Sequence, residues 1–363
     1  MHNCLARQLR AMGHDAIVAS NGSRWMDTGR DIDLTRKGGA WGTVNYLCDI
    51  VRNLPKMTGF DIVEISNPIF LDLRPSKVRP ILDYLRRHNR RVILSALGVD
   101  RWYYDACHDR HTFRYSDYMV GDRPSPFTQS EEYLAQRQHN WGKDYMLRHH
   151  DYVIRRVDGV VACLWEYYAA YQPRLPEGIP LAYAGIPVEL DALTFRPIEA
   201  EPARVRMVIG IQRDRTAVKG TDRLLEAARR MVDRHPDRCT LDVVENVPYA
   251  EYVERIARAH VLLDQIYSYT PATNALIAMA QGLVAVSGGE PEYYDFIGER
   301  DNRPVINVDP TVEGDIDAKL ERLIAEKDRL PALSRASRAF VEKHNAAPIV
   351  AQRYLDFWHS AKN

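Results

Sequence analysis

Residues 204–235 read RVRMVIGIQRDRTAVKGTDRLLEAARRMVDRH, an apolar strand followed by a basic loop and an amphipathic helix. The same order returns downstream, where CTLDVVEN precedes YAEYVERIARA, VLLDQI precedes TPATNALIAMAQG, and LVAVSGG follows. Short apolar strands that alternate with helices are typical of a parallel, doubly wound sheet. We therefore predict an α/β fold in which residues 205–345 form a Rossmann-like domain.

The amino-terminal half shows the same alternation but begins differently. Its strand-like runs DIVEIS, RVILSAL, VDGVVAC and PLAYAG are separated by helical segments, which predicts a second Rossmann-like domain over residues 1–188. The chain opens with a helix, MHNCLARQLRAMGHD, where a doubly wound domain has its central first strand. We therefore expect this domain to lack its first strand. We predict a linker at residues 189–204 and a helix at residues 346–363 that packs back on the first domain.

One segment of the first half lacks a regular pattern. Residues 98–130 are rich in Tyr, Asp, Arg and Pro and show neither a helical nor a strand period. Long connections of this kind are often functional. We predict a long functional loop here, followed by one long helix that runs to Arg156.

Composition and charge argue against several classes of function. The 363 residues include 49 basic and 49 acidic side chains, so the charge balance gives no case for binding nucleic acid. Five scattered cysteines without a Cys-x-x-Cys pair argue against a disulfide framework or a zinc site. We predict a cytoplasmic protein. Peripheral contact with the inner face of the membrane stays an open alternative, because basic side chains cluster at Arg86, Arg87, Arg90 and Arg91, although they also suit a helix end.

Two stretches of the second half carry the residues that could bind a ligand. In the first, Arg213, Arg215 and Lys219 follow a strand, at the edge of a parallel sheet where ligands bind in this architecture. Fixed positive charge there would stabilise a departing diphosphate. A solvated basic loop is an equally good explanation of this stretch taken alone.

The second stretch covers residues 264–296. Thr270 and Pro271 predict the start of a helix, and the free N–H groups of its first turn, near Thr273 and Asn274, suit a phosphate. A glycine turn and a carboxylate follow the next strand, at Gly288, Gly289 and Glu290. An ordinary βα unit with a glycine turn would read the same way.

Together the two stretches resemble the donor-binding half of family 4 of the retaining GT-B glycosyltransferases. The family's G-x-x-R, Lys-Gly and L-x-E-A elements match Gly210, Arg213, Lys219-Gly220 and Leu224–Ala227, and its G-G-x-P-E turn matches residues 288–292. YAGIPVELDALTFRP resembles the family's interdomain segment. The paired glutamates of the family fall on Tyr269 and Ile277, so this chain departs from the motif there.

The resemblance implies a set of site residues. Arg213 and Lys219 would stabilise the diphosphate, and Asp100, which follows a strand of the first half, is a further catalytic candidate or a buried capping aspartate. Tyr103 and Tyr104 would stack on acceptor sugar rings, with packing inside the loop as the alternative. The donor would contact Gly210, Val247, Thr273, Asn274, Gly288, Gly289 and Glu290.

The resemblance also implies the reaction. It is transfer of a sugar, with retention, from a nucleotide-diphosphate sugar to a saccharide or lipid-linked acceptor in polysaccharide or glycoconjugate biosynthesis. We expect no cofactor and no metal, although Asp31-Ile-Asp33 and Asp315-Ile-Asp317 mimic a metal-binding D-x-D motif. The missing glutamates keep an inactive relative that only binds a nucleotide sugar or a partner as an alternative. A nucleotide-sugar epimerase is a second one.

Overall fold

The computed structural model describes residues 1–22, 29–245, 247 and 249–360. Contacts divide the chain into two compact units. One contains residues 1–105, 140–187 and 347–363, and the other contains residues 106–139 and 188–346. Each unit is an α/β structure built on a four-stranded parallel sheet, which confirms the predicted fold class. The predicted domain bounds themselves stay a prediction.

The sheet of the first unit is formed by apolar runs that the sequence marks as strands. In spatial order its strands are Ile62–Ile65, Arg91–Ala96, Gly159–Ala162 and Leu181–Tyr183, all parallel. Val92, Ile93 and Leu94 are fully buried because helices cover both faces. A separate parallel pair joins Ala19–Ser20 to Ile32–Asp33. The expectation of a missing upstream strand stays a prediction.

Helices that begin and end the chain share one apolar cluster of the first unit. Leu5 and Leu9 of the first helix belong to the same buried cluster as Val350 and Tyr354 of the last helix. Gly13, with φ of 88°, ends the first helix in the left-handed region, as its position predicts. The helices that lie wholly within this unit, with one short 3-10 turn, are His2–Ala11, Gly39–Asn53, Leu54–Met57, Pro75–His88, Asp144–Ile154, Trp165–Tyr171 and Ala347–Ser360. The helix Arg101–His108 begins in this unit, and its last three residues belong to the other.

The sheet of the second unit has the spatial order Cys239–Glu245, Val205–Ile211, Val261–Leu263 and Val284–Val286, again all parallel. Successive residues of its strands alternate between two apolar clusters. Met207 and Ile209 pack with Leu224, whereas Val208 packs in the opposite cluster with Ile256. The helices and 3-10 turns of residues 188–346 are Leu190–Ala192, Arg213–Arg215, Thr216–Lys219, Thr221–Arg234, Tyr249–Ile256, Thr273–Ala280, Pro291–Phe296, Asp315–Ala325, Lys327–Arg329 and Leu330–His344.

Residues 106–139, which the sequence predicts as part of a long loop and a long helix, are a packed part of the second unit. We call them the inserted segment. They contain a short antiparallel pair, Met119–Val120 with Arg123–Pro124, then the 3-10 turn Pro126–Gln129 and the helix Glu131–Ala135. The single long helix is wrong. Arg137 has a φ of 55°, which a helix cannot continue through, so a separate 3-10 turn, Gln138–Gly142, precedes the helix Asp144–Ile154.

Several arginines of the predicted basic cluster contact their own chain. Arg86 donates to the carbonyl of Arg156, and Arg91 donates to the carbonyl of Trp358. Arg90 pairs with Asp61 at 3.4 Å on the surface. Within the described residues, no helix combines the length and the apolar character that crossing a membrane requires.

Candidate functional site

The carboxyl ends of the parallel strands in the second unit bring the predicted donor residues to one edge of the sheet. The strands end at Ile211, Glu245, Leu263 and Val286, and the loops that follow them carry Arg213, Val247, Asp264 and Gly288. We call this edge, with its loops, the carboxyl edge. Ligands bind at this edge in open α/β sheets because the loops and helix starts converge there.

A buried carboxylate organises the carboxyl edge. Asp264, directly after the strand Val261–Leu263, is almost fully buried. Its Oδ1 atom accepts hydrogen bonds from Lys219 Nζ and Asn274 Nδ2, both at 3.1 Å, and its Oδ2 atom accepts one from Ser287 Oγ at 3.1 Å. Two predicted site residues from separate stretches, Lys219 and Asn274, therefore meet at one side chain. Asp264 is not among the residues predicted from the sequence, although an acid directly after an apolar strand is a recognisable signal.

The strand Val205–Ile211 lies between Cys239–Glu245 and Val261–Leu263, and the side chain of Arg213 points toward the first of these neighbours, away from Asp264. Its guanidinium is about three-quarters exposed and pairs with Glu245, the last residue of the neighbouring strand Cys239–Glu245. Lys219 binds Asp264 instead, which directly follows Val261–Leu263, the strand on the opposite side of Val205–Ile211. The two predicted cations thus both belong to the carboxyl edge, but each is held by a different carboxylate.

The glycine after Lys219 is required by the fold. Gly220 has a φ of 67°, and a Cβ atom there would lie 2.5 Å from the Cγ1 atom of Ile266. Only glycine adopts this conformation without strain and without displacing Ile266. The Lys-Gly pair therefore fixes where the helix Thr221–Arg234 begins and, with it, the position from which Lys219 extends.

The helix of the second stretch begins later than predicted. It starts at Thr273, after Ala272, so Thr270 and Pro271 precede it rather than begin it. The Ser268 hydroxyl donates to the carbonyl of Thr270 at 2.7 Å, which holds these residues in a turn. Thr273 and Asn274 are the first two residues of the helix, as predicted.

The predicted glycines make close contacts with the protein itself. A Cβ atom at Gly288 would lie 2.4 Å from the carbonyl oxygen of Ser268, and one at Gly289 would lie 2.8 Å from Val305 Cβ. At Gly210 it would lie 2.9 Å from the ring of Tyr252. Val247, like Tyr252, is partly buried and packs against the apolar cluster that contains Ile256. Their roles as donor contacts stay predictions.

Glu290 is occupied by contacts within the unit. It is 3% exposed, and its Oε1 atom accepts hydrogen bonds from the Tyr115 hydroxyl and from Asn307 Nδ2, both at 2.6 Å. Its Oε2 atom accepts one from Arg114 at 2.6 Å. At most one lone pair of the carboxylate stays available to a sugar hydroxyl. Glu290 as a donor contact stays a prediction.

Tyr269, the residue at the position of the family's first glutamate, also holds the inserted segment. Its hydroxyl accepts the N–H group of Arg114 at 2.7 Å, and its ring stacks on that of Tyr115 with centroids 4.8 Å apart. Arg114 further bonds Glu292 and Asp309 at 3.2 and 3.1 Å. Arg114 and Tyr115 thus contact the carboxyl edge from the inserted segment. The sequence did not predict these contacts, because no local pattern links residues so far apart in the chain.

Residues Asp100, Tyr103 and Tyr104 lie in the first unit. Asp100 is fully buried, where its Oδ1 atom accepts the N–H group of Tyr103 at 2.9 Å and its Oδ2 atom accepts the hydroxyl of Tyr171. It therefore caps the helix Arg101–His108, which is one of the two roles considered. The ring of Tyr103 packs edge-on against Tyr167, and Gly142 lies against the ring of Tyr104. Catalytic and acceptor roles for these residues stay predictions.

Burial shifts the pKa values of two neighbouring side chains, Asp100 and His150, in opposite directions. Desolvation raises the pKa of Asp100 from 3.8 to about 6. Desolvation, with His149 and Arg101 nearby, lowers the pKa of His150 from 6.5 to about 3. His150 Nε2 lies 3.1 Å from the Tyr171 hydroxyl, and its ring packs on Trp102 at 4.4 Å. His150 is therefore neutral at neutral pH.

The aspartates of the two D-x-D sequences, Asp31-Ile-Asp33 and Asp315-Ile-Asp317, bind other groups of the chain. Asp31 pairs with Arg10 at 2.5 Å, Asp33 with Arg30 at 2.9 Å, and Asp317 with Arg230 at 2.6 Å. Across residues 1–22, 29–245, 247 and 249–360, no group of three or more metal-ligating side chains comes together.

We predict that Tyr115→Phe destabilises the protein. The change leaves the buried Glu290 without one of its donors, which costs about 1–3 kcal/mol of unfolding free energy. Urea unfolding measures the difference. The control is Tyr133→Phe, since the structure shows no hydrogen bond of the Tyr133 hydroxyl among the described residues. Equal effects of the two changes would contradict the role given to Tyr115.

We also predict that Asp100 makes stability depend on pH. Because its folded pKa is raised, its contribution is fully present below the unfolded pKa of 3.8 and is lost as pH rises through about 6. Relative to Asp100→Asn, the wild type should therefore gain up to about 3 kcal/mol as pH falls from about 7 to about 4. Urea unfolding of both proteins across this range measures the gain. A constant difference at every pH would refute it.

Comparisons with known proteins identify the fold. At the level of sequence, neither a protein-family model nor a curated protein matches this chain. In structure, sucrose-phosphate synthase from Thermosynechococcus elongatus superposes with a TM-score of 0.63 at 14% identity, over 98% of this chain and 91% of its own.

Two further structures give similar superpositions. WaaG, a glycosyltransferase involved in lipopolysaccharide biosynthesis, has a TM-score of 0.53 at 14% identity over 98% of this chain and 94% of its own. Anabaena HepE, in complex with UDP and glucose, has a TM-score of 0.52 at 10% identity over 89% of this chain and 83% of its own. Membership of family 4 stays a prediction. The chain has the GT-B fold of these glycosyltransferases.

Proposed function

We propose that this protein is a glycosyltransferase that moves a sugar, with retention, from a nucleotide-diphosphate sugar to a saccharide or lipid-linked acceptor. The observation that carries the proposal is the network at Asp264, which joins Lys219 to Asn274 at the carboxyl edge of a GT-B fold. A lysine and a helix start held together at this edge are the parts that a diphosphate needs.

Each residue of the network has a defined task in this proposal. Lys219 gives one N–H group to Asp264 and keeps two for the departing diphosphate, because an ammonium has three donors. Asn274 uses its amide oxygen to accept the Tyr252 hydroxyl at 2.8 Å and one amide hydrogen for Asp264. Its second amide hydrogen is the one it can offer to the donor. Arg213, largely exposed beside Glu245, can swing toward the phosphates when they arrive.

The donor is proposed on the same grounds, and no metal enters the mechanism. The HepE structure holds UDP and glucose, which makes UDP the first nucleotide to test on this chain. Fixed cations of the chain would neutralise the leaving diphosphate. Transfer by a cytoplasmic enzyme, with peripheral contact at the membrane for a lipid-linked acceptor, belongs to the same proposal.

One observation favours a second candidate function. The position of the family's first glutamate carries Tyr269, whose hydroxyl accepts a backbone N–H group of the inserted segment, and Glu290 is taken up by Tyr115, Arg114 and Asn307. With these groups engaged, a GT-B relative that binds a nucleotide sugar without turnover is the alternative. The two functions share the donor site and differ in whether UDP is released from UDP-sugar.

We predict that a nucleoside diphosphate raises the melting temperature of the wild type and fails to do so for Arg213→Ala/Lys219→Ala. A ligand that binds only the folded state adds about 2.7 kcal/mol at a hundred times its Kd. Thermal shift with UDP, ADP, GDP and their sugars measures the effect. A matched control is Arg229→Ala/Arg335→Ala, which removes two exposed helix arginines of the same unit.

Three results separate the candidates. A shift retained by the control and lost in the site variant, with UDP released in a turnover assay, supports the transferase. The same shift without release supports the relative that binds without turnover. A folded wild type that responds to no nucleotide would refute both.

A further inference from the structure

The inserted segment contacts both stretches that form the proposed donor site. At its carboxyl-terminal end, the Glu132 carboxylate accepts the N–H groups of Ala217 and Val218 at 3.0 and 3.3 Å. Gln136 Nε2 donates to the carbonyl of Asp214 at 2.6 Å. These contacts lie on the 3-10 turn Arg213–Arg215 and the short helix Thr216–Lys219, which together form the basic loop predicted from the sequence.

At its other end the segment binds the glycine turn. Arg114 and Tyr115 hold Glu290, and their backbone N–H groups bond Tyr269. The segment therefore spans from the proposed diphosphate loop to the turn at residues 288–292, within a single compact unit.

The segment is packed firmly enough to hold these contacts in place. Tyr118 and Phe127 are fully buried, and their rings pack edge-on at 5.8 Å. The Tyr118 hydroxyl donates to Gln138 at 2.8 Å, and Val120 packs against the apolar core of the unit. Glu132 extends from a short helix capped by Ser130, and its carboxylate is held by the N–H groups of Ala217 and Val218.

Glu132 places a negative charge beside the proposed diphosphate site. The loop to which it binds carries Arg213, Arg215 and Lys219. Arg215 lies close enough to affect the carboxylate electrostatically, and partial burial raises the pKa of Glu132. A carboxylate beside bound phosphates repels them, and weak screening at a half-buried position preserves much of this repulsion.

We propose that the inserted segment, residues 106–139, is a wall of the donor site, and that the Glu132 charge weakens binding of the nucleoside diphosphate product. This inference rests on the proposed function. Its consequence is faster release of the product after transfer, a step that limits turnover in many enzymes.

The test is the affinity of the isolated protein for UDP, ADP and GDP, measured by titration calorimetry at low salt and about pH 8, where carboxylates are ionised. Glu132→Gln should bind the preferred nucleotide about three- to tenfold more tightly than the wild type, because one like charge is removed while an acceptor oxygen remains. Glu132→Asp keeps the charge and should not bind more tightly.

The matched control is Glu131→Gln. It also removes one negative charge, but from the neighbouring residue of the same helix, which is exposed. It should leave the affinity within about twofold of the wild type, since screening weakens exposed charges. The melting temperature of each variant without nucleotide shows that it is folded.

Three outcomes would overturn the inference, and they are distinguishable. If the wild type binds a nucleoside diphosphate but Glu132→Gln binds no tighter than Glu131→Gln, the role of Glu132 fails and the proposed function stands. If the folded wild type binds none of the three diphosphates, the proposed function fails and the inference falls with it. Tighter binding by Glu132→Asp would show that the contact matters rather than the charge, and would also overturn it.

Discussion

The carboxyl edge of the second unit depends on one buried carboxylate, Asp264. A buried charge is costly unless opposite charge and hydrogen bonds compensate it, so the surrounding chain must supply donors. Lys219, Asn274 and Ser287 supply them from three separate segments of the sequence. Their convergence ties the basic loop, the helix Thr273–Ala280 and the following strand into one rigid corner. A ligand that reaches Lys219 or Asn274 meets side chains already held by Asp264.

The same principle explains why the inserted segment belongs to this unit. Glu290 is buried, and its two oxygens are compensated by Tyr115, Arg114 and Asn307. The family resemblance predicts that Glu290 contacts the donor, but in this structure Glu290 binds residues of its own chain. Tyr269 contributes to the same anchoring through its hydroxyl and its ring. The inserted segment therefore covers Glu290 and Tyr269 with the protein's own side chains.

The architecture and the site chemistry are therefore separable. The GT-B fold is shared with glycosyltransferases at 10–14% identity, which leaves room for different side chains at the same edge. Gly220 occupies a position whose backbone conformation requires glycine, whereas Asp264, Tyr269 and the inserted segment act through hydrogen bonds between distant parts of the chain. In the first unit, Asp100 also comes after a strand, but its carboxylate caps the helix Arg101–His108.

The sequence by itself determined the features that depend on local pattern. Alternating apolar runs and amphipathic helices determined the two parallel sheets, and strand ends determined that Arg213, Lys219 and Gly288 lie at the carboxyl edge. Thr273 and Asn274 were placed in the first turn of their helix, although its start at Thr273 rather than Thr270 depended on the turn at Ser268. Only the tertiary structure decided that Asp264 joins Lys219 to Asn274, that Glu290 is occupied, and that residues 106–139 pack in the second unit. These contacts link residues far apart in the chain, such as Tyr115 and Glu290, and a long-range hydrogen bond leaves no periodic trace in either segment that makes it.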